Sequence, residues 1–384
     1  MARRSIYLLL LAFAAPYLYD RYLAFSVILS NRPAAFQRKY NIKSHEVKFP
    51  TRIRNCEDVV LDEGMGLAIL SCDPGRDKWN TVMGTFYPER LTENGGIYLY
   101  DYANPGLPDE EALKRITLKN FETDDFHPLG IEYEADTSTL YVVNHAQSGS
   151  VIEIFSLAPT AATATHIRTL KHPLIHTPNS IHALGDGKIF FTNDHFMRAA
   201  VSPLLSKIET FAGIPGGSIV YLDINKPDTA KTVARLPFAN GIAMLNSTWL
   251  AVASSSKAGV YFFEVTPEYD LKSKGYIRTP SGVDNLSVDS KGKLVMAGHP
   301  FAPALMKISK DRANCVHESE NEEERKACEC GAPSWAAEWS SDGGIKEFYK
   351  GFHFCSSSMA VRDVSRGIGM VSGLYDKGLM VFRV

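Results

Sequence analysis

The chain has 384 residues, of which 45% are hydrophobic and 22% are charged, and its formal net charge is -2. This is the balance of an ordinary globular protein with enough apolar surface for a large core. No long basic run is present, so a nucleic-acid partner is not expected, because phosphate binding needs clustered Lys and Arg.

The N-terminus has the form of a secretory signal or an uncleaved signal anchor. The basic stretch Ala2-Arg3-Arg4 precedes an apolar run at 6–18, and the charged pair Asp20-Arg21 interrupts its continuation. The run is shorter than the roughly 20 apolar residues of a membrane span unless 22–29 also inserts. A surface amphipathic helix is the alternative. We therefore expect a protein of the secretory pathway, either extracellular or anchored to a membrane through this helix.

The six cysteines fit an oxidising compartment. Cys56 and Cys72 flank two predicted strands, and an antiparallel hairpin would place them nearly opposite each other, which allows a cross-strand disulfide. We favour disulfides over a zinc site at Cys328-Glu329-Cys330, because this spacing lacks the two intervening residues of a zinc knuckle. The connectivity stays open. Asn246 begins a glycosylation sequon on a predicted turn.

From about residue 50 onward the sequence mainly has the features of β-strands, and one sequence pattern recurs. A polar pair is followed by an apolar run, a turn and a second apolar run, and the repeats begin near residues 57, 128, 179, 240, 284 and 357. Such repeats predict a β-propeller, whose blades are four-stranded sheets. Helical spacing returns at 197–211, which predicts a small helical insertion that could cover the top face.

The predicted fold class is all-β: a six-bladed β-propeller with an N-terminal hydrophobic helix and a small helical insertion. The predicted divisions are a signal or signal-anchor helix at 1–30, a linker or closing segment at 31–50 and the propeller at 51–384.

The polar residues at the repeat starts are candidate metal ligands. The first strand of each propeller blade lines the central channel, so these residues would meet at one end of it. Two carboxylates, Glu57 and Asp284, would balance one divalent cation. An all-oxygen set completed by Asn179, Asn240 and Asn285 suits calcium better than zinc. The alternative is that these residues are structural caps that bond neighbouring blades.

At these positions the chain resembles the paraoxonase family of calcium-dependent arylesterases and lactonases, from about Cys56 to Lys307. The motifs that carry the resemblance are Glu57-Asp58, Val142-Val143-Asn144-His145, Thr192-Asn193-Asp194-His195, Phe238-Ala239-Asn240-Gly241-Ile242, Val283-Asp284-Asn285 and Gly298-His299-Pro300. The resemblance implies a six-bladed propeller with two calcium ions in its channel and a retained hydrophobic N-terminus. It assigns Glu57, Asn179, Asn240, Asp284 and Asn285 to a catalytic calcium ion. It assigns Asp58 and the carbonyl of Ile131 to a structural calcium ion.

The chain departs from the family pattern at two positions. The main catalytic histidine of the family falls at Leu129, although the second histidine of its dyad is present as His145. A carboxylate of the structural calcium site falls at Ser180, which binds cations more weakly. The candidates for the base are therefore His145, His127 and Asp284. The candidates for the substrate pocket are Leu129, His299 and Phe238.

The sequence thus predicts a calcium-dependent hydrolase that acts on a small-molecule ester or lactone. A bound calcium ion could polarise the carbonyl and stabilise the oxyanion formed by water attack. One alternative is a gluconolactonase-like hydrolase with a single metal ion. The other is a non-catalytic, membrane-anchored propeller that calcium only stabilises, and Leu129 keeps this alternative open.

Overall fold

The computed structural model describes residues 2–384, with side chains from Ala14 onward. The helices are α1 (Ala2–Ser30), α2 (Asp109–Ala112), α3 (Pro203–Ala212), α4 (Ala302–Arg312) and α5 (Glu322–Lys326). The first fourteen strands are β1 (Lys39–Tyr40), β2 (Ser44–Lys48), β3 (Arg54–Asp62), β4 (Leu67–Cys72), β5 (Trp79–Asn80), β6 (Thr85–Phe86), β7 (Gly96–Asp101), β8 (Leu113–Arg115), β9 (Thr117–Lys119), β10 (Pro128–Glu134), β11 (Thr139–Asn144), β12 (Val151–Ala158), β13 (Thr163–Leu170) and β14 (Pro178–Gly185). The remaining strands are β15 (Lys188–Asn193), β16 (Gly217–Asp223), β17 (Lys231–Leu236), β18 (Ala239–Asn246), β19 (Trp249–Ser254), β20 (Gly259–Val265), β21 (Leu271–Arg278), β22 (Gly282–Val288), β23 (Leu294–His299), β24 (Ser334–Ser340), β25 (Gly344–Gly351), β26 (Ser357–Asp363), β27 (Ile368–Lys377) and β28 (Leu379–Arg383).

The strands form successive antiparallel four-stranded units. These units are β3-β4-β7-β8, β10-β11-β12-β13, β14-β15-β16-β17, β18-β19-β20-β21, β22-β23-β24-β25 and β26-β27-β28-β2. The first strand of each unit contacts the first strand of the next, and β26 contacts β3, so the six first strands close a ring. The predicted all-β propeller is confirmed, with each unit forming a blade around the central channel.

The N-terminal part of the chain completes the last blade. Strand β2 lies in the predicted closing segment at 31–50 and pairs with β28 along five residues, from Ser44 opposite Arg383 to Lys48 opposite Leu379. Strand β27 also pairs with β3, which joins the last blade to the first. A strand from the predicted linker or closing segment thus supplies the outer edge of the last blade.

Apolar side chains fill the spaces between neighbouring blades. Between the second and third blades, for example, Val143 packs in one cluster with Ile181 and Phe191, and all three are buried. Sheets that are covered on both faces need strands with continuous apolar runs, which is why the repeats were visible in the sequence.

Every first strand carries one extra residue relative to its partner, close to its N-terminal end. The register shifts lie between Cys56 and Asp58, Pro128 and Ile131, Pro178 and Ile181, Ala239 and Ile242, Val283 and Leu286, and Ser357 and Met359. A β-bulge bends the strand and redirects the side chains beside it. The predicted ligand pairs therefore occupy a repeated backbone irregularity that changes the direction of their side chains.

Two of these bulges depend on glycine because the next first strand passes very close. A Cβ added to Gly241 would lie 2.5 Å from the Cα of Asn285, and one added to Gly130 would lie 2.1 Å from the carbonyl oxygen of Asn179. Backbone atoms cannot yield to such contacts. The small residues at 130 and 241 thus set the spacing of the ring around the channel.

The helical predictions were partly correct. The helix expected at 197–211 begins only at Pro203, because the Ser202 side chain accepts a hydrogen bond from the backbone N–H of Leu205 and caps it. Helix α4 was not predicted, although Leu305, Ile308 and Arg312 recur at helical spacing and are buried. The proline at its second position concealed that pattern.

Three disulfides join all six cysteines. Cys56 pairs with Cys72, as the hairpin argument predicted, and the other two pairs are Cys315–Cys328 and Cys330–Cys355. The preference for disulfides over zinc at 328–330 is confirmed.

The predicted basic stretch at 2–4 and the apolar residues at 6–13 lie outside the side chains that the structure describes. Within the described part of the chain, no helix combines the length and the hydropathy needed to cross a membrane.

Candidate functional site

A cavity of about 190 Å³ lies at the end of the channel where the first strands begin, which we call the upper end. Glu57, Asn179, Asn240 and Asp284 all line it, although they come from four different blades. Each lies at a bulge of its first strand. The folded chain thus brings together four predicted ligands that are separated by more than 200 positions in the sequence.

The buried oxygens of this group lack hydrogen-bond partners. Glu57 Oε2, Asn179 Oδ1, Asn240 Oδ1 and Asn285 Oδ1 are all buried, and none accepts a hydrogen bond from the described residues. Buried polar atoms are normally bonded, so four unpartnered acceptors in one region are compatible with a bound cation. If these residues were structural caps, which is the alternative from the sequence, their oxygens would accept hydrogen bonds from neighbouring blades.

Hydrogen bonds from the amide nitrogens orient the group. Asn285 Nδ2 donates to Glu57 Oε1 at 2.6 Å, and Asn240 Nδ2 donates to Asp284 Oδ1 at 2.5 Å and to Ser255 Oγ at 3.0 Å. With their nitrogens engaged in this way, the amides of Asn240 and Asn285 keep their oxygens free. Five oxygen-donor side chains, two of them carboxylates, form the donor set that calcium prefers.

The electrostatics of the upper end also favour a bound cation. Burial raises the pKa of the Glu57 carboxyl well above its usual value, and the nearby charges of Asp58 and Asp284 raise it further. Arg76, which also lines the cavity, opposes this only in part. Without a bound cation, the cluster is therefore poorly compensated when its carboxylates are ionised.

The predicted ligands of a second, structural ion lie towards the opposite, lower end. Asp58, Ile131 and Ser180 line a separate cavity there. The two carboxylate oxygens of Asp58 accept hydrogen bonds from the backbone N–H groups of Val59, at 2.8 Å, and Ile131, at 2.9 Å. Burial raises the pKa of Asp58 to about 7.

The lower residues fit a metal ion less well than the upper ones. No buried oxygen of Asp58 or Ser180 lacks a partner within the described residues. A hydroxyl at Ser180 also leaves Asp58 as the lone carboxylate among the predicted lower ligands. Calcium sites usually carry more negative charge than this.

The two predicted catalytic histidines do not line the upper cavity. His127 is buried, and its Nδ1 lies 3.1 Å from Asp73 Oδ2. His145 Nδ1 lies 2.9 Å from Ser150 Oγ, and burial lowers the pKa of His145 to about 4. Among the described residues, Nε2 of His127 has no hydrogen-bond partner. The catalytic role of either histidine stays a prediction.

The third candidate base, Asp284, does line the cavity. Its Oδ2 lies 2.8 Å from Nε2 of His299, and His299 Nδ1 is buried without a partner. Leu129 and Phe238, the other predicted pocket residues, also line the cavity. Asp284 and His299 are therefore the titratable pair that the structure places beside the predicted ligands.

Sequence reasoning did not assign His195 to the site, although it lines the cavity. Its Nδ1 lies 3.0 Å from Asp194 Oδ1, and its Nε2 lies 2.6 Å from Thr210 Oγ1 on α3. Burial opposes the charged ring, but the hydrogen bond and the charge of Asp194 outweigh burial and raise the pKa of His195. Its position just beyond a strand-end asparagine was the available signal, since His195 lies two residues after Asn193 and His145 directly follows Asn144.

Three helices cover the upper cavity. The apolar lining includes Phe25 and Ile28 from α1, Phe211 from α3, and Leu305 and Met306 from α4. The sequence predicted a cover only from the helical insertion at 197–211. A helix docked from a distant part of the chain leaves no local signal, apart from charges that interrupt an apolar run, as at residues 20 and 21.

The docking of α1 rests on polar contacts with the fourth blade. Asp20 Oδ1 lies 2.7 Å from Arg278 Nη2 and 3.2 Å from Lys257 Nζ. Arg21 Nη1 donates to the carbonyl oxygen of Ser256 at 3.0 Å, and Asn31 Nδ2 donates to that of Pro280 at 2.8 Å. The second half of α1 is thus part of the cavity wall.

Comparison with known proteins agrees with this geometry. A model of the arylesterase family matches residues 83–320 of the chain. The chain belongs to the arylesterase family. The family that the motifs predicted is therefore confirmed.

The relatives of this arylesterase-family protein include serum paraoxonase/lactonase 3 of Oryctolagus cuniculus, which is 32% identical over 278 residues, or 67% of this chain and 72% of that protein. Serum paraoxonase/arylesterase 2 of Canis lupus familiaris is 30% identical over 217 residues, which cover 55% of this chain and 59% of that protein.

A solved structure described as a putative gluconolactonase covers 90% of this arylesterase-family chain, and 97% of its own chain is matched, with a TM-score of 0.54 and 13% sequence identity. At that level of identity the likeness supports the fold alone.

Proposed function

We propose that this arylesterase-family protein is a calcium-dependent hydrolase of small-molecule esters and lactones. The observation that carries the proposal is a group of four buried oxygens, on Glu57, Asn179, Asn240 and Asn285, that lack partners among the described residues. Glu57, Asn179 and Asn240 line one covered cavity, and Asn285 donates to Glu57. Membership of a family of ester hydrolases, with relatives named paraoxonases, arylesterases and lactonases, supports the substrate class.

Glu57, Asn179, Asn240, Asp284 and Asn285 would hold the ion. When bound, calcium would supply positive charge to a polarised carbonyl oxygen. The chain itself supplies the rest of the environment. The apolar wall from α1, α3 and α4 binds the hydrophobic part of the substrate and limits the access of bulk water. His299 Nε2 is held by Asp284, which leaves Nδ1 as the free ring nitrogen.

The test is a panel of aryl esters and aliphatic lactones, measured with added calcium, with chelator and after calcium is restored. We expect turnover that chelator abolishes and calcium restores. A folded protein that hydrolyses no member of the panel in the presence of calcium would contradict the proposal. If chelator then lowered only the melting temperature, the non-catalytic propeller would be the better account.

The finer assignments remain proposals of the same kind. The second calcium ion at Asp58, Ser180 and the carbonyl of Ile131 rests on family resemblance, and the bonded oxygens of Asp58 make it the weaker site. Glycosylation at Asn246 is supported by an exposed position at the end of β18. The three disulfides support a secretory protein. Contact with a membrane through the N-terminal helix is a prediction from the sequence alone.

A further inference from the structure

The upper cavity contains more positive charge than the proposed hydrolysis of a neutral ester requires. Arg21 and Arg76 both line it, and so does Lys207. The two arginines are only 7% and 3% exposed, and Nε of each is buried without a hydrogen-bond partner among the described residues. Buried N–H groups are normally bonded, so each guanidinium has hydrogen-bonding capacity left for an acceptor from outside the chain.

The charge of Arg21 is not cancelled by its protein partners. Its Nη2 donates to Asp20 Oδ2 at 2.7 Å, but Asp20 also pairs with Lys257 and Arg278. One carboxylate is thus shared among three cations. The α1 side of the cavity wall therefore keeps an excess of positive charge.

The backbone at Gly213 holds the Arg21 guanidinium in place. A Cβ added to Gly213 would lie 2.3 Å from the Cζ of Arg21, so the guanidinium packs directly on the backbone that ends α3. Gly213 has a φ of +64°, which glycine adopts without strain. A guanidinium with this support loses little freedom when it binds an acceptor.

Arg76 also lines the cavity, near the predicted metal ligand Glu57. Its Nη2 donates to the carbonyl oxygen of Pro128 at 2.9 Å, and its charge partly offsets that of Glu57. A bound calcium ion would offset the charges of Glu57 and Asp284, which are the acidic residues of the cavity lining. Arg21 and Arg76 would then face no uncompensated carboxylate of that lining.

We propose that the cavity selects esters or lactones that carry a carboxylate on an aliphatic chain, and that Arg21 is the residue that recognises this charge. This inference rests on the proposed function and specifies its substrate class. The apolar residues of α1, α3 and α4 accommodate the aliphatic part, and the guanidinium donates hydrogen bonds to the anionic end. Carboxylates form charge-assisted hydrogen bonds with guanidinium N–H groups.

The test compares two esters that differ in one charge: the 4-nitrophenyl monoester of suberic acid, whose chain is too long for ready attack by its own carboxylate, and the same compound with its free carboxylate methylated. With the calcium-loaded wild-type protein we expect kcat/KM to be at least about tenfold higher for the carboxylate ester. Arg21→Gln should reduce this preference by about tenfold, mainly through KM, whereas Arg21→Lys should keep most of it.

Arg32→Gln is the matched control, since it removes the same charge just beyond the end of α1 from an exposed position. It should leave the preference unchanged. Because Arg21→Gln could loosen α1, limited proteolysis compares the helix in all three variants. A wild-type protein that prefers the methylated ester, or a preference that survives Arg21→Gln, would overturn the inference while the proposed hydrolase activity stands.

A binding experiment keeps the inference testable if neither ester is hydrolysed, which would instead count against the proposed function. Calorimetric titration with pentanoate should show about tenfold weaker binding to Arg21→Gln than to the wild type or to Arg32→Gln. Equal affinities in all three proteins would contradict a role for Arg21 in recognising the anion.

Discussion

The upper and lower ends of the channel contain similar residue types but use them differently. At the upper end, acceptor oxygens of Glu57, Asn179, Asn240 and Asn285 are buried without partners. At the lower end, both oxygens of Asp58 accept backbone N–H groups. Polar residues at equivalent positions of a repeat can therefore bind a ligand or tie the backbone together. Both oxygens of Asp284 are also bonded, but to the side chains of Asn240 and His299, so the bonding partner distinguishes it from Asp58.

Removing an upper ligand should have the largest effect. Asn240→Ala deletes one of the unpartnered oxygens and the hydrogen bond to Asp284. We expect kcat/KM for a hydrolysed ester to fall by about 100-fold or more, because the ion and the charge stabilisation that it supplies would be lost together. Asn225→Ala, at an exposed turn, is the matched control and should leave turnover unchanged. Similar turnover in both variants would remove Asn240 from the site.

A histidine at position 129 should have the next largest effect. Leu129 is 2% exposed and lines the upper cavity, where the family resemblance places a catalytic histidine. Leu129→His should raise kcat by about tenfold or more, since acid–base help is worth that amount or more, at a stability cost of about 2 kcal/mol. Leu129→Gln controls for polarity alone. The account of Leu129 is wrong if the histidine variant is no faster than the glutamine variant.

A change at the lower end should have a small effect on turnover. Asp58→Asn keeps one oxygen to accept a backbone N–H but loses the second, which should cost about 1–2 kcal/mol of unfolding free energy. We expect kcat/KM to change by less than about threefold, because Asp58 does not line the upper cavity. Denaturant unfolding and ester kinetics on the same preparation give both numbers. A loss of turnover as large as that in Asn240→Ala would show that the two ends are not separate.

At neutral pH the smallest effect is expected from His145, because its contribution to stability changes only in acid. The pKa of His145 is lowered by burial from 6.5 to about 4, so the folded protein resists protonation of this ring. The resulting destabilisation is absent above pH 6.5 and develops as the pH falls towards 4, where it reaches roughly 2–3 kcal/mol. His145→Gln should flatten this part of the stability curve relative to the wild type. Parallel curves for the two proteins would contradict the structural role of His145.

The regular features of the fold could be predicted because they depend on short stretches of sequence. The first strands, from Arg54–Asp62 to Ser357–Asp363, begin within a few residues of the predicted repeat starts. Alternation, turns and apolar runs have a short range, and the six repeats reinforce one another. The pairing of Cys56 with Cys72 was predictable for the same reason, since one hairpin decides it.

The cover of the site could not be predicted because it depends on contacts between distant segments. Nothing near Arg21 in the sequence indicates that it packs against Gly213 and donates to Ser256. His299 and Asp284 lie on the two strands of one hairpin, so their contact is local. The role of this pair nevertheless depends on Asn240, which bonds to the other oxygen of the Asp284 carboxylate and is distant in the sequence. The bulges that aim the ligands also require the partner strands to be known.

The distinction between the two ends of the channel is tested most directly by calorimetric titration of calcium into metal-stripped protein. The account predicts one tight site per chain, which Asn240→Ala abolishes and Asp58→Asn retains. Tight binding that survives Asn240→Ala, or that disappears in Asp58→Asn alone, would contradict it.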